Sequence, residues 1–483
     1  MTMPIRSLSF PLSLSLPVAL AAALLLSACA LPPVKPPPAV APAAQFKESG
    51  SWQQAASTGQ GAAPVPVPDA WWTLFGDPLL DDLQRRLVIG NENLKVAAAQ
   101  VVSARAVVEA SRSAMAPTLS TGLSASRTAS PGATTAASTI NPINSFSLTA
   151  SASWETDLWR RLAQASRGAQ ASLQASSNDL AAARLSAQAL LAQTYFSLRT
   201  ADSQAALLAR SVQAYQRSLE LTQARYDGGV AARTDVLQAQ TQLRTAQAQA
   251  ADTQAQRAVL EHAIAVLLGE APSSLGLASL AALPEVPAVP LLLPARLLER
   301  RPDIAAARSR VAAAYAQIGV ADAAFFPDLT LSASAGYRGS ALANLVSAPN
   351  LLWSLGPSLA VAVLDGGQRK LASAQARATA EQLTASYRQT VLTALQEVED
   401  NLVLTRQLQE EAQLQSAALQ AAQRNLEITL DQYRAGTLGY LNVVTAQTAA
   451  LSSESNLLNV RNRQLAAVNQ LLKNVAGRWD SAL

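Results

Sequence analysis

The sequence predicts a mainly α-helical protein with a small β part, in which one structural unit occurs twice. Three observations support this prediction: an internal duplication, long stretches without proline, and four short segments of alternating character. The composition agrees, because 49% of the 483 residues are hydrophobic while only 5% are aromatic and 14% are charged. Alanine, leucine and valine supply most of the apolar share, which is typical of long, closely packed helices.

The duplication is visible when residues 219–241 are aligned with residues 426–448. Matched pairs are offset by 207 positions, and they include Leu219 with Leu426, Thr222 with Thr429, Tyr226 with Tyr433, Gly229 with Gly436 and Gln240 with Gln447. A second match, at an offset of 210, aligns Leu94, Val101, Ala104 and Pro117 with Ile304, Val311, Ala314 and Pro327. The chain is therefore predicted to contain two copies of one unit.

Two very long helices are predicted, one in each copy. No proline lies between Pro142 and Pro272 or after Pro357, so nothing in these stretches removes a helical hydrogen bond through a proline ring. The first helix is expected from Asp157 to about Tyr226, and ~70 residues at ~1.5 Å each give roughly 105 Å. The second is expected from Asp365 to Tyr433, with an apolar seam formed by Leu383, Tyr387, Val391, Leu395 and Leu402.

Each copy also contains two segments with period-two alternation, which predicts β-strands with two unlike faces. The segments span residues 119–125, 146–154, 329–337 and 355–363. A strand of ~10 residues tilted by ~45° spans the ~25 Å apolar band of an outer membrane. Four strands do not close a barrel, and an open edge in lipid is costly, so the sheet is expected to be completed by other copies of the chain.

The N-terminus predicts a lipoprotein. Residues 1–28 have the character of a secretory signal peptide, and Leu26-Ser27-Ala28-Cys29 resembles the bacterial lipobox, in which the cysteine is acylated and becomes the new N-terminus. Residues 29–68, which are rich in Pro and Ala, are expected to form a lipidated tether. The absence of aspartate after Cys29 implies, by resemblance to bacterial lipoproteins, sorting to the outer membrane.

The predicted organisation of the remaining chain follows the duplication. It comprises a first-copy helix (69–116), a first β-hairpin (117–156), long first-copy helices (157–269) with a turn near 228–234, a linker (270–300), a second-copy helix (301–326), a second β-hairpin (327–364), long second-copy helices (365–477) with a turn near 435–440, and a tail (478–483). Asp157 with Arg161 and Asp365 with Arg369 are expected to cap the long helices and form i,i+4 ion pairs.

Enzyme and nucleic-acid functions are disfavoured. The formal charge is +4 with scattered basic residues, so no basic surface for nucleic acid is expected. His262 is the sole histidine and Cys29 the sole cysteine, so one chain assembles neither a His/Cys metal site nor a histidine-based triad. We assign no role to His262, and expect no catalytic residue, no metal and no cofactor other than the covalent lipid on Cys29.

With these features the chain resembles the TolC-like outer-membrane factors, or outer membrane efflux proteins, and in particular their RND-associated, NodT/OprM-type lipoprotein branch. The motifs that support the resemblance are Arg225-Tyr226, Gly229, Thr234-Asp235-Val236-Leu237, Ala239-Gln240, Tyr433-Arg434-Ala435-Gly436, Ala446-Gln447 and Glu299-Arg300-Arg301-Pro302-Asp303-Ile304. The family fold implies a homotrimer in which each protomer gives four transmembrane strands to one β-barrel, continued through the periplasm by an α-helical barrel.

The resemblance also implies function and partners. A protein of this family is a passive outer-membrane channel in a tripartite efflux system, and it carries small molecules from an inner-membrane RND-type pump through a periplasmic membrane-fusion adaptor. Adaptor docking then falls on the helix turns, at Gly229, Val230, Ala231, Gly436, Thr437 and Leu438. For the two turn glycines, plain helix capping is the alternative, and the two roles are compatible.

The family gate maps onto Thr234 and Asp235, which are expected to face Tyr433. A helix N-cap is the alternative role for Asp235. At the constriction this sequence departs from the family pattern, because Asn442, Thr445 and Leu438 stand where many members carry aspartates and an arginine. An acidic ring is therefore in doubt, and Leu441 is expected to supply a more apolar aperture.

Two other functions stay open at this point. A type I protein-secretion outlet shares the channel fold, and the lipobox favours efflux over it only by family analogy. A structural coiled-coil lipoprotein of the envelope explains the helices and the anchor, but it does not explain the four alternating segments.

Overall fold

The computed structural model describes residues 46–48, 70–129, 142–287 and 301–475. The helices in these residues are α1 (Pro78–Gly90), α2 (Glu92–Ser113), α3 (Arg161–Asp227), α4 (Arg233–Leu268), α5 (Pro302–Ala323), α6 (Gln368–Arg434) and α7 (Tyr440–Val475). The strands are β1 (Thr118–Thr128), β2 (Ile143–Thr156), β3 (Asp328–Gly339) and β4 (Leu351–Ala360). Short 3₁₀ turns occupy Trp71–Phe75, Pro272–Ser274 and Ala348–Asn350.

The duplication is exact in helix length. Helices α2 and α5 each have 22 residues, α3 and α6 each have 67 residues, and α4 and α7 each have 36 residues. Each copy follows the order helix, strand, strand, long helix, helix. The predicted fold class, mainly helical with a small duplicated β part, is confirmed.

The structure divides into two compact units, and the first of them contains the sheet. This sheet unit includes Ala104–Leu173 and Ser309–Thr384. Its four strands form one antiparallel sheet in the order β1-β2-β3-β4. Three of the predicted strand segments lie within the observed strands. The fourth is shifted, because β4 covers Leu351–Ala360 and so ends before Val361 and Val363.

The turn that follows β4 explains the shift. Gly366 and Gly367 have φ values of 63° and 88°, which belong to the left-handed region and are incompatible with an extended strand. The Asp365 carboxylate accepts hydrogen bonds from the backbone N–H groups of Gly367 and Arg369, at 2.9 and 3.2 Å. The chain therefore leaves the sheet before Asp365 and enters α6 there.

The two strand-to-helix junctions differ in their ion pairs. Asp365 pairs with Arg369 at 2.6 Å, as predicted. The hydrogen bond from the Arg369 side chain, together with those from the two backbone N–H groups, lowers the pKa of Asp365 to about 2. At the first junction Asp157 caps α3 through the N–H groups of Leu162 and Ala163. The predicted Asp157–Arg161 pair is wrong, because Arg161 forms a bidentate bond with Glu155 at the end of β2 instead.

The second, helical unit holds the main hydrophobic core. It includes the described parts of Ala39–Ser103, Gln174–Arg308 and Ala385–Leu483. The first 3₁₀ turn, α1, the middles of α3 and α6 and the C-terminal part of α7 bury a common cluster. It includes Trp71, Leu80, Leu83, Leu191, Tyr195, Phe196, Val391, Val398, Leu402, Leu465 and Leu471. The predicted seam residues Val391 and Leu402 are fully buried in it. No helix in the described ranges has both the length and the hydropathy needed to cross a bilayer.

A close approach of two glycines joins α1 to α4 in this unit. A Cβ atom at Gly90 would overlap the carbonyl oxygen of Leu268, and one at Gly269 would overlap the carbonyl oxygen of Gly90. Gly269 also has a φ of 73°, and its N–H closes the end of α4. Glycine is therefore required at both positions for the two helix ends to meet.

A buried ion network holds the described part of the predicted linker, 270–300, against the helices. The Asp202 carboxylate on α3 pairs with Arg199 at 2.8 Å and with Arg257 at 2.7 Å. It also accepts hydrogen bonds from the Ser279 hydroxyl and the Leu280 N–H, at 2.9 and 3.1 Å. This part of the linker is thus attached to α3 and α4 by charge-assisted hydrogen bonds.

The predicted tether, 29–68, has one described segment, and that segment is packed. Phe46 is 4% exposed and lies in the core of the helical unit. The backbone N–H groups of Lys47 and Glu48 donate to the Glu399 carboxylate of α6, at 2.8 and 3.0 Å. The tether is therefore fastened to α6 at this point, while Cys29 lies outside the described residues.

Candidate functional site

The sheet has one apolar face, and that face is exposed in the protomer. The strand register aligns side chains of like character across all four strands, as in the row Leu119, Ala152, Ala333 and Leu355 and the row Leu123, Leu148, Tyr337 and Leu351. Leu119, Leu123, Trp353 and Leu355 are each at least 70% exposed. An apolar face of this extent needs either lipid or another protein surface to cover it.

The opposite face is lined by hydroxyl groups and glycines. One complete row consists of Ser120, Ser151, Ser334 and Ser354. Cross-strand hydroxyl pairs, each at 2.8 Å, join Ser120 to Ser151, Ser124 to Ser147 and Ser334 to Ser354. These bonds show that the serine side chains share one face. The sheet therefore separates an apolar surface from a polar one, which is the alternation expected of a strand between lipid and water.

The two turns between long helices have the same backbone geometry in both copies. Gly229 has a φ of 75° and Gly436 a φ of 79°. In the first turn the N–H groups of Gly229 and Val230 donate to the carbonyls of Tyr226 and Arg225, both at 2.9 Å. The equivalent bonds of Gly436 and Thr437, both at 3.0 Å, repeat this pattern 207 residues later.

This is a Schellman motif, so the capping role expected for the two glycines is confirmed. The predicted docking residues are placed on the surface of the turns. Gly229, Val230, Gly436 and Thr437 are exposed, and Ala231 and Leu438 are half-buried.

Tyr433, the predicted gate tyrosine, is buried between α6 and α3. It is 3% exposed, and its hydroxyl lies 3.1 Å from the Thr222 hydroxyl. Thr222 already donates its own proton to the Ser218 carbonyl at 2.8 Å, so Tyr433 is the donor in the pair. The Arg225 guanidinium stacks over the Tyr433 ring at 4.9 Å and donates to the Tyr433 carbonyl at 2.6 Å. Two side chains of α3 therefore hold the last turn of α6.

Asp235 occupies a different place from the one expected. Among the described residues Tyr433 bonds to Thr222 and not to Asp235, because the tyrosine hydroxyl points toward α3. The alternative N-cap role of Asp235 is also wrong, since Ala232 is the N-cap of α4 and Asp235 lies inside the first turn. Its negative charge there is favourable toward the positive end of the helix dipole. Thr234 beside it is exposed.

Tyr440, at the start of α7, is a buried neighbour of this cluster. Its ring meets that of Tyr433 edge to face, with centroids 5.5 Å apart. Its hydroxyl is buried and has no hydrogen-bond partner in the described residues. Burial raises the pKa of Tyr440 to about 12, and the nearby Tyr433, Tyr215 and Asp235 act in the same direction. An unsatisfied buried hydroxyl costs free energy in this arrangement.

The remaining predicted gate residues share one exposed face of α7. Leu441, Asn442 and Thr445 are all exposed, and Leu441 is 62% exposed. The opposite face of the same turns buries Val443 and Ala446. The face of α7 that carries Leu441 is therefore exposed in the protomer.

Sequence reasoning missed three residues of this site: Thr222, Arg225 and Tyr440. Thr222 belonged to the duplicated pairs, with Thr429, and Arg225 belonged to the family motif Arg225-Tyr226, so both positions carried a usable signal. The sequence did not indicate which residues they contact, because Thr222 and Tyr433 are 211 residues apart in the chain. Tyr440 did not belong to any of the motifs identified in the sequence.

No group of three or more His, Cys, Asp or Glu side chains in the described part of the chain is arranged to hold a metal ion. His262 is exposed on α4. A cavity of about 360 Å³ is lined mainly by amide and hydroxyl groups, and Asp252 is the one carboxylate in its lining.

Comparison with known proteins identifies the family. The model of the outer membrane efflux protein family matches residues 84–270 and 293–477, one range in each copy. The chain is 30% identical over 420 residues to the pyoverdine export outer membrane protein OpmQ of Pseudomonas aeruginosa, covering 85% of this chain and 88% of that protein. It is 30% identical over 407 residues to the toluene efflux pump outer membrane protein TtgI of Pseudomonas putida, covering 84% of this chain and 87% of that protein.

Solved structures agree with this result. The outer-membrane channel OprN matches with a TM-score of 0.83 and 28% identity, over 93% of this chain and 100% of that one. The outer membrane protein VceC from Vibrio cholerae matches with a TM-score of 0.77 and 26% identity, over 86% of this chain and 100% of that one. The chain belongs to the outer membrane efflux protein family.

Proposed function

We propose that this protein is the outer-membrane channel of a tripartite efflux system. The observation that carries the proposal is the two-faced sheet, whose apolar rows are exposed on one side while rows of serine and glycine line the other. Lipid satisfies the first face and a water-filled lumen satisfies the second. The relatives named as outer membrane proteins of efflux pumps support the same role.

The channel is proposed to be a homotrimer. In the protomer β1 and β4 are the edge strands of the sheet, and each leaves a row of backbone N–H and C=O groups without a partner strand among the described residues. Such edges are not tolerated in hydrocarbon, where each unpaired group costs several kcal/mol. Pairing β1 of one copy with β4 of the next closes the sheet, and three copies give a barrel of 3 × 4 strands, which is the family arrangement.

The channel is proposed to act passively, with partners supplying the energy. An inner-membrane RND-type pump delivers small molecules, and a periplasmic membrane-fusion adaptor meets the residues of the two helix turns, Gly229, Val230, Ala231, Gly436, Thr437 and Leu438. The protein is placed in the outer membrane with its long helices in the periplasm.

The gate is proposed to be the latch between α3 and the last turn of α6. Tyr433 is held by the Thr222 hydroxyl and by Arg225, and both contacts must break if the end of α6 moves away from α3. Leu441, Asn442 and Thr445 then line the aperture from their shared face of α7, and Thr234 and Asp235 flank it from α4. Because these α7 positions carry no charge, the aperture is proposed to be weakly polar.

Single-channel conductance in planar bilayers tests the channel and its gate together. We expect discrete conductance steps from the wild type and a larger open fraction from the double variant Tyr433→Phe with Thr222→Val. Removing one buried hydrogen bond worth about 0.5–1.5 kcal/mol shifts a closed–open equilibrium roughly 2- to 10-fold.

The matched control is Tyr226→Phe, the equivalent tyrosine of the first copy, which is 38% exposed and should leave the open fraction unchanged. If the double variant gates like the wild type, the latch is rejected. If neither protein conducts, the structural envelope lipoprotein becomes the better description.

Lipidation is tested by Cys29→Ser. We expect mass spectrometry of the mature protein to show complete loss of the acyl chains, because the thiol is the proposed attachment atom. The trimer should persist in native electrophoresis, since the barrel itself still spans the membrane. The control is Ser27→Ala, which leaves the thiol in place. Loss of the trimer from Cys29→Ser alone would contradict the proposal that the barrel assembles independently of the lipid anchor.

A further inference from the structure

The hydroxyl face of the sheet carries very few charges. In the described strands its side chains are mostly Ser, Thr and Gly, and the ionisable residues on it are Glu155, Asp328 and Arg338. Glu155 and Asp328 lie at the end of the sheet where the strands join the helices, and Glu155 is neutralised by Arg161 at 2.7 Å. Arg338 lies near the other end of β3.

Arg338 has only hydroxyl neighbours in its row. Its register partner on β2 is Ser147, whose own partner on β1 is Ser124. These two serines bond to each other at 2.8 Å. Arg338 is exposed, and no carboxylate pairs with it within the part of the chain that the structure describes. Its positive charge is therefore directed into the space that the hydroxyl face borders.

The carboxylates on the same face are too far away to cancel this charge. Glu155 lies eight residues along β2 from Ser147, the row of Arg338. At ~3.4 Å per residue that separation is roughly 27 Å, which exceeds the ~10 Å Debye length at 0.1 M salt. Arg338 thus sets the local potential at its end of the sheet.

We propose that Arg338, repeated in each copy of the closed barrel, forms a cationic ring at the mouth of the pore that favours the passage of anionic solutes. The inference rests on the proposed channel function, because the hydroxyl face borders a lumen only in a closed barrel. A ring of like charges in a constricted aqueous path raises the local concentration of counter-ions and so makes conduction selective. The barrel end, and not the helical aperture, then carries the charge preference of the channel.

The sheet provides a matched control on its other face. Arg127, on β1, is aligned with Asn144 in the register and follows the alternation of Leu123 and Ala125, so its side chain belongs to the apolar face. It has the same charge as Arg338 and also lies near the end of its strand remote from the helices. In a closed barrel Arg127 points outward, and its removal should not affect ions in the lumen.

The test is the reversal potential of the full-length wild-type channel in a KCl gradient near 0.1 M. We expect Arg338→Gln to lower the chloride-to-potassium permeability ratio roughly twofold or more, and this difference should shrink near 1 M salt, where the Debye length is ~3 Å. Arg127→Gln should match the wild type, and Arg338→Lys should retain its selectivity. Ser147→Glu, which places a carboxylate opposite Arg338, should reduce the ratio as Arg338→Gln does.

The possible results distinguish failure of the proposed cationic ring from failure of the proposed channel function. Clear conductance steps with an unchanged ratio in Arg338→Gln and Ser147→Glu would overturn the ring while leaving the channel intact. An equal effect of Arg127→Gln would also overturn it, because the two arginines would then not differ in their access to the lumen. Absence of steps from the wild type would overturn the proposed function and the ring with it.

Discussion

Replacing Asp202 by alanine is expected to lower the free energy of unfolding by roughly 3 to 5 kcal/mol, the usual cost of breaking a buried ion pair by removing one partner. Asp202 is fully buried and faces two arginines, Arg199 and Arg257, of which Arg199 is itself 2% exposed at its side chain. The variant leaves the buried Arg199 without its carboxylate partner, whereas Arg257 keeps its ion pair with Glu261 at 2.6 Å. It also removes the acceptor for Ser279 and Leu280.

Denaturant unfolding in detergent and limited proteolysis measure this effect. The midpoint should fall, and cleavage within residues 277–280 should become faster, because that segment loses its attachment to α3. The control is Glu454→Ala, which removes a 2.7 Å pair with Arg210, whose side chain is 64% exposed. An exposed pair contributes up to about 1 kcal/mol. Equal losses from Asp202→Ala and Glu454→Ala would contradict the importance of the buried network.

The same carboxylate predicts the pH dependence of stability. Burial alone would raise the pKa of Asp202, but hydrogen bonds from Arg257, Leu280, Ser279 and Arg199 outweigh it, and the pKa lies below its ordinary value of 3.8. A lowered folded-state pKa means that the unfolded chain binds the proton more readily. The stabilisation is therefore complete above pH 3.8 and is lost as the pH falls through the folded-state pKa. In Asp202→Ala this contribution should be missing.

Placing an arginine on the apolar face of β3 is the second change with a large expected effect. Ala335 lies in the row of Thr121, Ala150 and Trp353, near the middle of the sheet. An arginine facing lipid near the bilayer midplane costs about 2–4 kcal/mol, and the proposed trimer would carry three of them. Ala335→Arg should therefore strongly reduce the amount of trimer recovered from outer membranes.

The neighbouring residue supplies the control. Ser334 precedes Ala335 in β3 and lies on the hydroxyl face, where it bonds to Ser354 at 2.8 Å. Ser334→Arg introduces the same charge one residue away, but into the proposed lumen, and the trimer should assemble. Native electrophoresis of the membrane fraction compares the two. If Ser334→Arg is lost and Ala335→Arg assembles, the two faces have been assigned the wrong way round.

The helices could be predicted closely because their signals are local and occur twice. The absence of proline and the repeated motifs placed the long helices within a few residues of Arg161–Asp227 and Gln368–Arg434. The end of β4 was predicted less accurately, because the chain enters a turn beyond it whose glycines adopt positive φ. The Arg161 partner was wrong for a related reason, since Arg160 adopts a φ of 60° in the turn before α3 and Arg161 reaches Glu155.

The candidate gate was only half predictable. The repeat identified Tyr433 as an important position, but it did not distinguish it from Tyr226, which is far more exposed. The hydroxyl partner was misassigned to Asp235, because a hydrogen bond between α3 and α6 depends on the rotation of each helix, and a pattern of residue types does not record that rotation. The actual pair, Thr222 with Tyr433, appears only when the helices are packed.

The sequence by itself determined the fold class, the duplication, the helix and strand content and the family, because periodicity, proline placement and repeated motifs act over short stretches of chain. The tertiary structure alone decided which side chains meet. It placed Asp202 between two arginines, brought Thr222 to Tyr433 and aligned the serines of four strands in one row. Such contacts join residues far apart in the chain, and they follow from helix rotation and strand register, which the local pattern constrains only in part.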